Sequence, residues 1–374
     1  MIVKNLRIVN FRNYEEQKLV LSSGPIVIKG ENGQGKSNLL EAIYNLFFAR
    51  SFRGSKDGDM VCWNKPYYFL QGTVYIQKRL YKLEVGYETK RKRKVVSING
   101  KKGYSTPFAW PVVFFMPEDL ELVRRGPEER RRFIDRELSQ VSNYYANCLQ
   151  RYKKALIQKN RLLKEKKYID NSLKEQLYPW NKQLIYFGSR LISLRAQNLS
   201  LWNKMASKNF KTLFKKDKEL QLEYNTICHD RGINSNNVEE VEELLEKMLE
   251  KHLLEELKRG FSMIGPHRDD FSFLVEGKEA KRFASHGQQR SAVVALKAAQ
   301  IQLFSAEGEK PLLMVDDVFS ELDEFRKERC FSLFSEAEQI FLTSTDVGKL
   351  PSMLLEEAID YTSLEVKEGK IEGF

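Results

Sequence analysis

The sequence has 374 residues, and its 62 Lys and Arg against 51 Asp and Glu give a formal net charge of +11. Its 42% hydrophobic and 11% aromatic residues exclude a disordered chain and suffice for a sizeable core. The longest apolar runs are far shorter than a membrane span, and the N-terminus lacks the apolar stretch of a signal peptide. These features predict a cytoplasmic protein without a membrane partner, and the basic charge favours an anionic partner.

Strands and one helix are predicted for the N-terminal part of the chain, residues 1–122. The helix covers Leu39–Phe47, where apolar residues recur at helical spacing. Gly72 and Asn99-Gly100 are typical of turns between strands. The predicted strands alternate in polarity or are rich in β-branched residues, and they are Ile2–Val9, Ile26–Ile28, segments of Tyr67–Ile98, and Pro111–Pro117.

A helical insert is predicted for residues 123–257, because only Pro179 and few glycines interrupt a stretch rich in Leu, Lys, Glu and Gln. Mixed α/β patterning returns in residues 258–374, with a predicted helix at Gln289–Leu303. The predicted strands of this part are Phe271–Val275, Leu312–Val315 and Gln339–Thr343. We therefore expect one α/β domain built from both ends of the chain and interrupted by a helical domain.

A phosphate-binding loop is predicted where the sequence matches the pattern G-x-x-x-x-G-K-[ST], between a predicted strand and a predicted helix. Glycines let backbone N–H groups curl around phosphate oxygens, Lys36 reaches the β- and γ-phosphates, and Ser37 binds Mg²⁺. A Gly-rich turn without a ligand does not explain the Lys-Ser pair. The predicted nucleotide-binding residues are Gly30, Glu31, Asn32, Gly33, Gln34, Gly35, Lys36, Ser37 and Asn38.

Two carboxylates, Asp316 and Asp317, follow the predicted buried strand Leu312–Val315. One carboxylate at a strand end can hold Mg²⁺, and the next can orient or deprotonate an attacking water, although an Asp pair also commonly caps a turn. We predict Ser37 and Asp316 as metal ligands, and Lys36, Asp316 and Asp317 as catalytic residues. A second anion site is predicted at the start of a helix, with a plain N-cap at Ser285 as the alternative, and comprises Ser285, Gly287 and Gln288.

In this order, the phosphate loop, a degenerate Leu-Ser-Gly-Gly-Gln signature and the Asp-Asp strand resemble an ABC-type ATPase head. Lys36 and Asp316 lie 280 residues apart, which is similar to the SMC group, whose heads are interrupted by an inserted arm. Between residues 10 and 346 the chain is most similar to the RecF family. The matching segments are Asn10–Tyr14, Gly30–Ser37, Phe115–Leu120, Gly126–Asp135, Gly265–Asp270 and Asp316–Asp323.

The resemblance implies a split ABC-type P-loop ATPase head with an inserted α-helical domain, and an ATP-dependent homodimer that sandwiches two Mg²⁺-ATP. The signature of one subunit would meet the γ-phosphate bound to the other. Arg12 and Asn13 would reach the nucleotide, as the corresponding segment does in SMC-type heads. Asp317 stands where many ABC ATPases carry Glu, so slow hydrolysis is expected.

Three basic clusters favour DNA as the anionic partner: Lys78–Lys102, Arg124–Arg136 and Arg151–Lys167. Each alone could be a solvated face, and no base-reading motif is present, so contacts mostly to phosphates are expected. The residues predicted to contact DNA are Lys90, Arg91, Lys92, Arg93, Lys94, Arg130, Arg131 and Arg132.

The resemblance, together with the basic clusters, implies a weak, DNA-stimulated ATPase that binds duplex and gapped DNA as a dimer and releases it on hydrolysis. By resemblance, its partners would be RecO and RecR, and it would help to load recombinase at single-stranded gaps. The alternatives are the ATPase of an SMC-like nuclease complex, a transporter ATPase subunit, or a DNA clamp that binds nucleotide without turnover. The absence of a metal-carboxylate cluster outside the ATP site argues against intrinsic nuclease activity. A structural or interface role is predicted for His267.

Overall fold

The computed structural model of the chain divides into two compact units. The head unit comprises Met1–Leu120, Thr212–Lys215 and Val293–Phe374, and the helical unit comprises Glu121–Lys211 and Lys216–Ala292. Residues 258–292, predicted as part of the head, belong to the helical unit, because a strand within them pairs with a strand of the predicted insert. The structure describes residues 1–103, 110–165, 168–214, 218–306, 308–346, 348, 350–351, 354 and 360–372.

The described residues form both strands and helices. The strands of the described residues are β1 (Ile2–Phe11), β2 (Tyr14–Val20), β3 (Gly24–Lys29), β4 (Tyr67–Ile76), β5 (Arg79–Glu88), β6 (Arg93–Ile98), β7 (Lys101–Lys102), β8 (Val112–Phe115), β9 (Leu220–Asn225), β10 (Asp270–Val275), β11 (Lys278–Glu279), β12 (Leu312–Asp316), β13 (Gln339–Ser344), β14 (Thr362–Lys367) and β15 (Lys370–Glu372). The helices are α1 (Lys36–Phe48), α2 (Pro117–Leu120), α3 (Pro127–Val141), α4 (Asn143–Glu165), α5 (Asn171–Thr212), α6 (Val238–Lys251), α7 (Leu253–Arg259), α8 (Ala280–Phe283), α9 (His286–Ala306) and α10 (Glu324–Phe334).

One sheet of the head unit is antiparallel, with the strand order β2-β1-β4-β5-β6-β7. Alternating side chains of β1, such as Leu6 and Ile8, share a buried cluster with Leu40 of α1. Gly72, predicted at a turn, lies inside β4 instead. A Cβ atom on Gly72 would come within 2.5 Å of Leu46 Cδ2, so the absence of a side chain lets α1 approach the sheet.

The other sheet of the head unit has the order β15-β14-β3-β13-β12-β8, and all its pairs except β14–β15 are parallel. Every residue of β12 is buried, as expected for a parallel strand that is covered on both faces. Strands β3 and β12 flank β13. The loop after β3 and the carboxylates that follow β12 therefore lie at the same edge of the sheet, where the carboxyl ends of parallel strands meet.

The helical unit combines long helices with a small antiparallel sheet of order β11-β10-β9. Its longest helix, α5, has 42 residues and contains Pro179 in its interior. The apolar face of α6, which includes Val241 and Leu245, packs in one cluster with Ile192 of α5. The predicted helical character of this region is confirmed. The small sheet was not predicted as part of it, and its strands β10 and β11 directly precede α8 and the signature.

Candidate nucleotide site

The phosphate loop connects β3 to α1 and depends on two glycine conformations. Gly30 has φ +146° and Gly35 has φ +120°, a region that residues with a Cβ atom rarely adopt. A Cβ atom at Gly30 would lie 2.4 Å from the carbonyl oxygen of Val366, and one at Gly35 would lie 2.6 Å from the side-chain amide nitrogen of Asn13. Only glycine fits these two positions, in agreement with the sequence pattern.

Lys36 is buried at the first position of α1. Its Nζ donates hydrogen bonds to the carbonyl oxygens of Gly30 at 2.6 Å and Glu31 at 2.8 Å. Burial lowers the pKa of Lys36, while the charges of Asp317 and Asp316 oppose that shift. The ammonium group of Lys36 is thus surrounded by the loop backbone. Oxygens of a bound phosphate would replace the carbonyl oxygens of Gly30 and Glu31 as its hydrogen-bond acceptors.

Asn13 braces the phosphate loop from the neighbouring sheet. Its Nδ2 donates to the carbonyl oxygen of Gln34 at 2.8 Å, and its Oδ1 accepts from Nδ2 of Asn38 at 2.9 Å. The turn before β15 holds the same loop residue, because the backbone N–H of Glu368 donates to Gln34 Oε1 at 2.6 Å. Asn13 and Asn38, both predicted to bind nucleotide, are therefore joined to the loop and to each other.

Arg12 is oriented by a buried carboxylate that sequence reasoning missed. Its guanidinium makes a two-pronged contact with Glu41, at 2.7 and 3.0 Å, and Glu41 is fully buried in α1. A third donor of Arg12 reaches the carbonyl oxygen of Asp59 at 2.8 Å. The only sequence signal for Glu41 is an acid among the apolar residues of the helix that follows the loop.

The two predicted metal ligands lie together, although 279 residues separate them. Ser37 Oγ donates to Asp316 Oδ1 at 2.8 Å, and Asp316 is buried at the end of β12. Thr343 Oγ1, at the end of the neighbouring β13, donates to the same carboxylate oxygen at 2.8 Å. Hydroxyl and carboxylate oxygens are hard ligands, so this donor set fits Mg²⁺.

Asp317 has a left-handed backbone, with φ +49°, which is uncommon for a residue with a side chain. Its N–H donates to Thr343 Oγ1 at 2.8 Å, and its carbonyl oxygen accepts from Ser320 Oγ at 2.7 Å. Thr343 thus contacts both members of the acidic pair. From sequence, Thr343 was placed at the end of a buried strand, and its contacts with the acidic pair were not predicted.

The predicted signature lies in the helical unit at the start of α9 and forms a reciprocal cap. The Ser285 N–H donates to Gln288 Oε1 at 2.7 Å, and the Gln288 N–H donates to Ser285 Oγ at 3.3 Å. The capping alternative is therefore realised. It leaves Ser285 exposed and Gly287 and Gln288 half-buried, so this segment remains accessible from solvent.

Gln289 holds the backbone that leads into the signature by hydrogen bonds. It is buried, and its Nε2 donates to the carbonyl oxygens of Ala280 at 2.9 Å and Ala284 at 3.1 Å. Its Oε1 accepts from Arg124 Nε at 2.9 Å. Arg124 also contacts the ring of His286. One basic residue of the second cluster is thereby engaged in holding the signature.

The Gly265–Asp270 motif is a buried hydrogen-bonding centre of the helical unit. His267 Nε2 contacts the carbonyl oxygen of Ser262 at 2.9 Å, and its Nδ1 contacts the Tyr152 hydroxyl at 2.6 Å. Asp269 is buried and lies 3.4 Å from Arg195. These contacts support the structural role that the sequence predicted for His267.

The predicted DNA contacts of the first basic cluster are largely exposed. Lys90, Arg91, Lys92 and Arg93 lie in and after the turn between β5 and β6 and are all exposed. Lys94 is different, because its Nζ donates to the carbonyl oxygen of Ala49 at 2.7 Å and pairs with Asp57. Four of these five cations therefore present charge to solvent.

The Arg130–Arg132 run does not form one basic surface. Successive residues of a helix point about 100° apart, and Arg130 falls on the buried face of α3. Its guanidinium makes two hydrogen bonds with Asp270, at 2.6 and 2.7 Å. Arg131 is half-buried and donates to the carbonyl oxygen of Asp269 at 2.6 Å, whereas Arg132 is exposed and pairs with Glu128. Arg130 and Arg131 therefore have structural partners within the helical unit, and Arg132 alone of the three is exposed.

Comparison with known proteins relates the chain to a family. Residues 5–264 match the family described as AAA domain. The DNA replication and repair protein RecF of Desulfitobacterium hafniense (strain DSM 10664 / DCB-2) is 35% identical over 352 residues, which cover 94% of this chain and 95% of the relative. The RecF protein of Symbiobacterium thermophilum is 36% identical over 377 residues, with 99% and 98% covered.

Solved structures support the same relationship. The structure of the recombination mediator protein RecF with ATP in the RecFOR pathway has a TM-score of 0.87 and 32% identity, covering 100% of this chain and 97% of that chain. An Smc head bound to the C-winged helix domain of ScpA has a TM-score of 0.56 at 13% identity, with 100% of this chain and 98% of that chain covered, and shows the shared fold. No described helix is both long and apolar enough to cross a membrane. The predicted ABC-type head with a helical insertion is confirmed, and the chain belongs to the RecF family of DNA replication and repair proteins.

Proposed function

We propose that this chain is an ATP-dependent DNA-binding protein of repair and recombination, with slow ATPase activity. The observation that carries the proposal is the 2.8 Å contact between Ser37 and Asp316, which assembles a nucleotide site from both ends of the chain. A related RecF protein was solved with ATP, which supports ATP as the ligand.

The residues of the site have separate tasks in this proposal. Backbone N–H groups of the Gly30–Ser37 loop and the N-terminus of α1 bind phosphate oxygens, and Lys36 neutralises their charge. Ser37 and Asp316 would hold Mg²⁺, which would neutralise charge on the phosphates when bound. Asp317 lies next to Asp316 and orients the attacking water, and its short side chain is consistent with slow turnover.

A homodimer completes the proposed site. The accessible Ser285, Gly287 and Gln288 of one subunit would meet the γ-phosphate bound to the other, so ATP would close the dimer and hydrolysis would open it. The supporting observation is that the signature is pre-ordered by Gln289 and by its own cap while remaining open to solvent.

The DNA partner is inferred from the exposed basic turn Lys90–Arg93. Lysine and arginine side chains on a strand–turn–strand unit suit phosphate contacts, which carry little sequence preference. We infer duplex and gapped DNA as ligands and stimulation of the ATPase by DNA. RecO and RecR are the inferred partners in loading recombinase at gaps, because related structures are assigned to the RecFOR pathway.

The test compares binding of gapped DNA by wild type and Lys36→Arg in gel-shift assays with ATP, ADP and a non-hydrolysable ATP analogue. Wild type is expected to bind most tightly with the analogue, more weakly with ADP, and to release DNA as ATP is consumed. Lys36→Arg is expected to lose the nucleotide dependence, because a guanidinium cannot occupy the buried ammonium position. Wild-type DNA binding that is equal under all nucleotide conditions would contradict the proposal.

A further inference from the structure

Trp63 is unusually exposed for its residue type. Its side chain is 90% exposed, whereas Trp110 and Trp202 are buried at 4% exposure each. It lies in a tight turn in which the N–H of Lys65 donates to the carbonyl oxygen of Cys62 at 3.1 Å. Tryptophan has a large, flat apolar ring, so an exposed indole held on a hydrogen-bonded turn is available to stack on a ligand.

A cavity of about 460 Å³ lies against this indole, and its lining includes Arg12, Asn13, Asn38, Val61 and Cys62. The cavity adjoins the phosphate loop, because Asn38 directly follows Ser37 and Asn13 bonds to Gln34 at 2.8 Å. All these residues belong to the head unit. A nucleotide whose phosphates occupy the loop would place its sugar and base toward this cavity.

The chemistry of the lining suits a planar heterocycle. Arg12 is fixed by the buried Glu41 and Asn13 is fixed by Asn38, so the polar wall is already ordered. The lining also includes the flat indole of Trp63, together with Val61 and Cys62. Nucleic bases stack on aromatic rings with little regard to sequence, because every base has a π face.

We propose that Trp63 is the platform on which the purine base of the bound nucleotide stacks. The inference rests on the proposed function, since it deepens the nucleotide site by naming the residue that binds the base. Trp63 has no contact with the phosphates in this arrangement, so its contribution is confined to the base. Tripolyphosphate, which has the phosphate chain of ATP and no base, separates the two parts of the site.

The experiment measures binding of ATP and of inorganic tripolyphosphate to the full chain by calorimetry, for wild type, Trp63→Ala and Trp63→Phe. Trp63→Ala is expected to bind ATP roughly 5- to 150-fold more weakly and tripolyphosphate as well as wild type. Trp63→Phe should lie between them, because a smaller ring still stacks. Tyr178→Ala, which removes another exposed aromatic residue from the helical unit, should match wild type for both ligands.

The outcomes separate this inference from the proposed function. Equal ATP affinity of Trp63→Ala and wild type, with both binding tripolyphosphate, would overturn the stacking role and leave the nucleotide site intact. Wild type that binds neither ligand would overturn both. A second readout is tryptophan emission, which ATP but not tripolyphosphate should change in wild type and which neither should change in Trp63→Phe.

Discussion

Thr343 shows how one hydroxyl organises the acidic pair. It is 3% exposed at the end of β13, accepts the N–H of Asp317 and donates to Asp316. The left-handed backbone of Asp317 costs about 1–2 kcal/mol for a residue with a side chain. The hydrogen bond from the Asp317 N–H offsets part of that cost. Thr343 therefore positions the residue that we infer to orient water.

We predict that Thr343→Val lowers the rate of ATP hydrolysis about 10-fold or more. Valine keeps the shape and removes the hydroxyl, so a buried N–H and a carboxylate oxygen lose a partner, at about 1–3 kcal/mol. The measurement is single-turnover hydrolysis together with the ATP dissociation constant. Thr343→Ser should restore most of the rate, and a Val variant that hydrolyses ATP like wild type would rule out this role.

At the scale of elements, the Gly265–Asp270 motif ties three helices to a strand. Arg195 of α5 donates to Asp135 of α3 at 2.7 Å and to the Tyr145 hydroxyl of α4 at 2.9 Å. Asp269 also accepts from the Tyr224 hydroxyl of β9. Burial raises the pKa of Asp269 to about 6, against the opposing charge of Arg195. Burial likewise lowers the pKa of His267 to about 4, so the histidine is neutral near pH 7.

These two shifts give opposite pH dependences of stability. The raised pKa of Asp269 contributes stability below pH 4 that is lost as the pH rises through 6. The lowered pKa of His267 contributes stability above pH 6.5 that is lost as the pH falls through 4. Each of these pKa changes corresponds to roughly 3 kcal/mol of unfolding free energy, so their effects largely cancel between pH 4 and 6.

We predict that single substitutions separate the pH dependence of stability due to Asp269 from that due to His267. For Asp269→Asn, the denaturant concentration at the unfolding midpoint should rise as the pH increases from 4 to 6, because only the His267 effect remains. For His267→Gln the midpoint should fall over the same range. His229→Gln, at a largely exposed histidine, should follow the wild-type curve. Parallel curves for all four proteins would show that Asp269 and His267 do not make these opposing contributions to stability.

Elements that depend on contacts between residues close in sequence were predicted, and features that depend on contacts between distant residues were not. The loop between β3 and α1 and the strand before Asp316 follow from local spacing, and the structure contains both elements. Strand β2 was missed, because only Tyr14 and Leu19 are buried in this polar edge strand. Gly72 was misassigned because the helix that approaches it is distant in sequence. Glu41 and Thr343 have roles that depend on tertiary contacts, which no spacing rule encodes.

At the scale of the whole molecule, the net charge of +11 divides into exposed and engaged cations. Lys159, in the third basic cluster, is completely buried and lies 2.7 Å from Glu256. Arg130 is likewise engaged with Asp270. The exposed turn Lys90–Arg93 keeps its cations at the surface. Counting charges in sequence therefore overstates the second cluster as a DNA surface, whereas Arg151, Lys153, Lys154, Arg161 and Lys164 of the third cluster are exposed.

We predict that replacing Lys90, Arg91, Lys92 and Arg93 by alanine weakens DNA binding and flattens its salt dependence. Each lost phosphate contact should reduce the slope of log Kd against log salt by about 0.9 on duplex DNA. The measurement is fluorescence anisotropy across salt concentrations in the presence of the ATP analogue. A control of equal charge replaces four exposed lysines elsewhere in the head unit, Lys4, Lys18, Lys367 and Lys370. An unchanged slope in the first variant would place the DNA surface elsewhere.

The strand order of the parallel sheet also limits when the head unit can fold during translation. Strand β3 pairs only with β13 and β14 among the described strands, and β13 begins at residue 339. At about 5–20 residues per second, roughly 15–60 s of translation separate the emergence of β3 from that of its partner. During this interval β3 lacks both of its strand partners, and Ser37 of the phosphate loop lacks Asp316. Chains that stop before β13 therefore leave an unpaired apolar strand and no nucleotide site, which makes them substrates for chaperones and proteases.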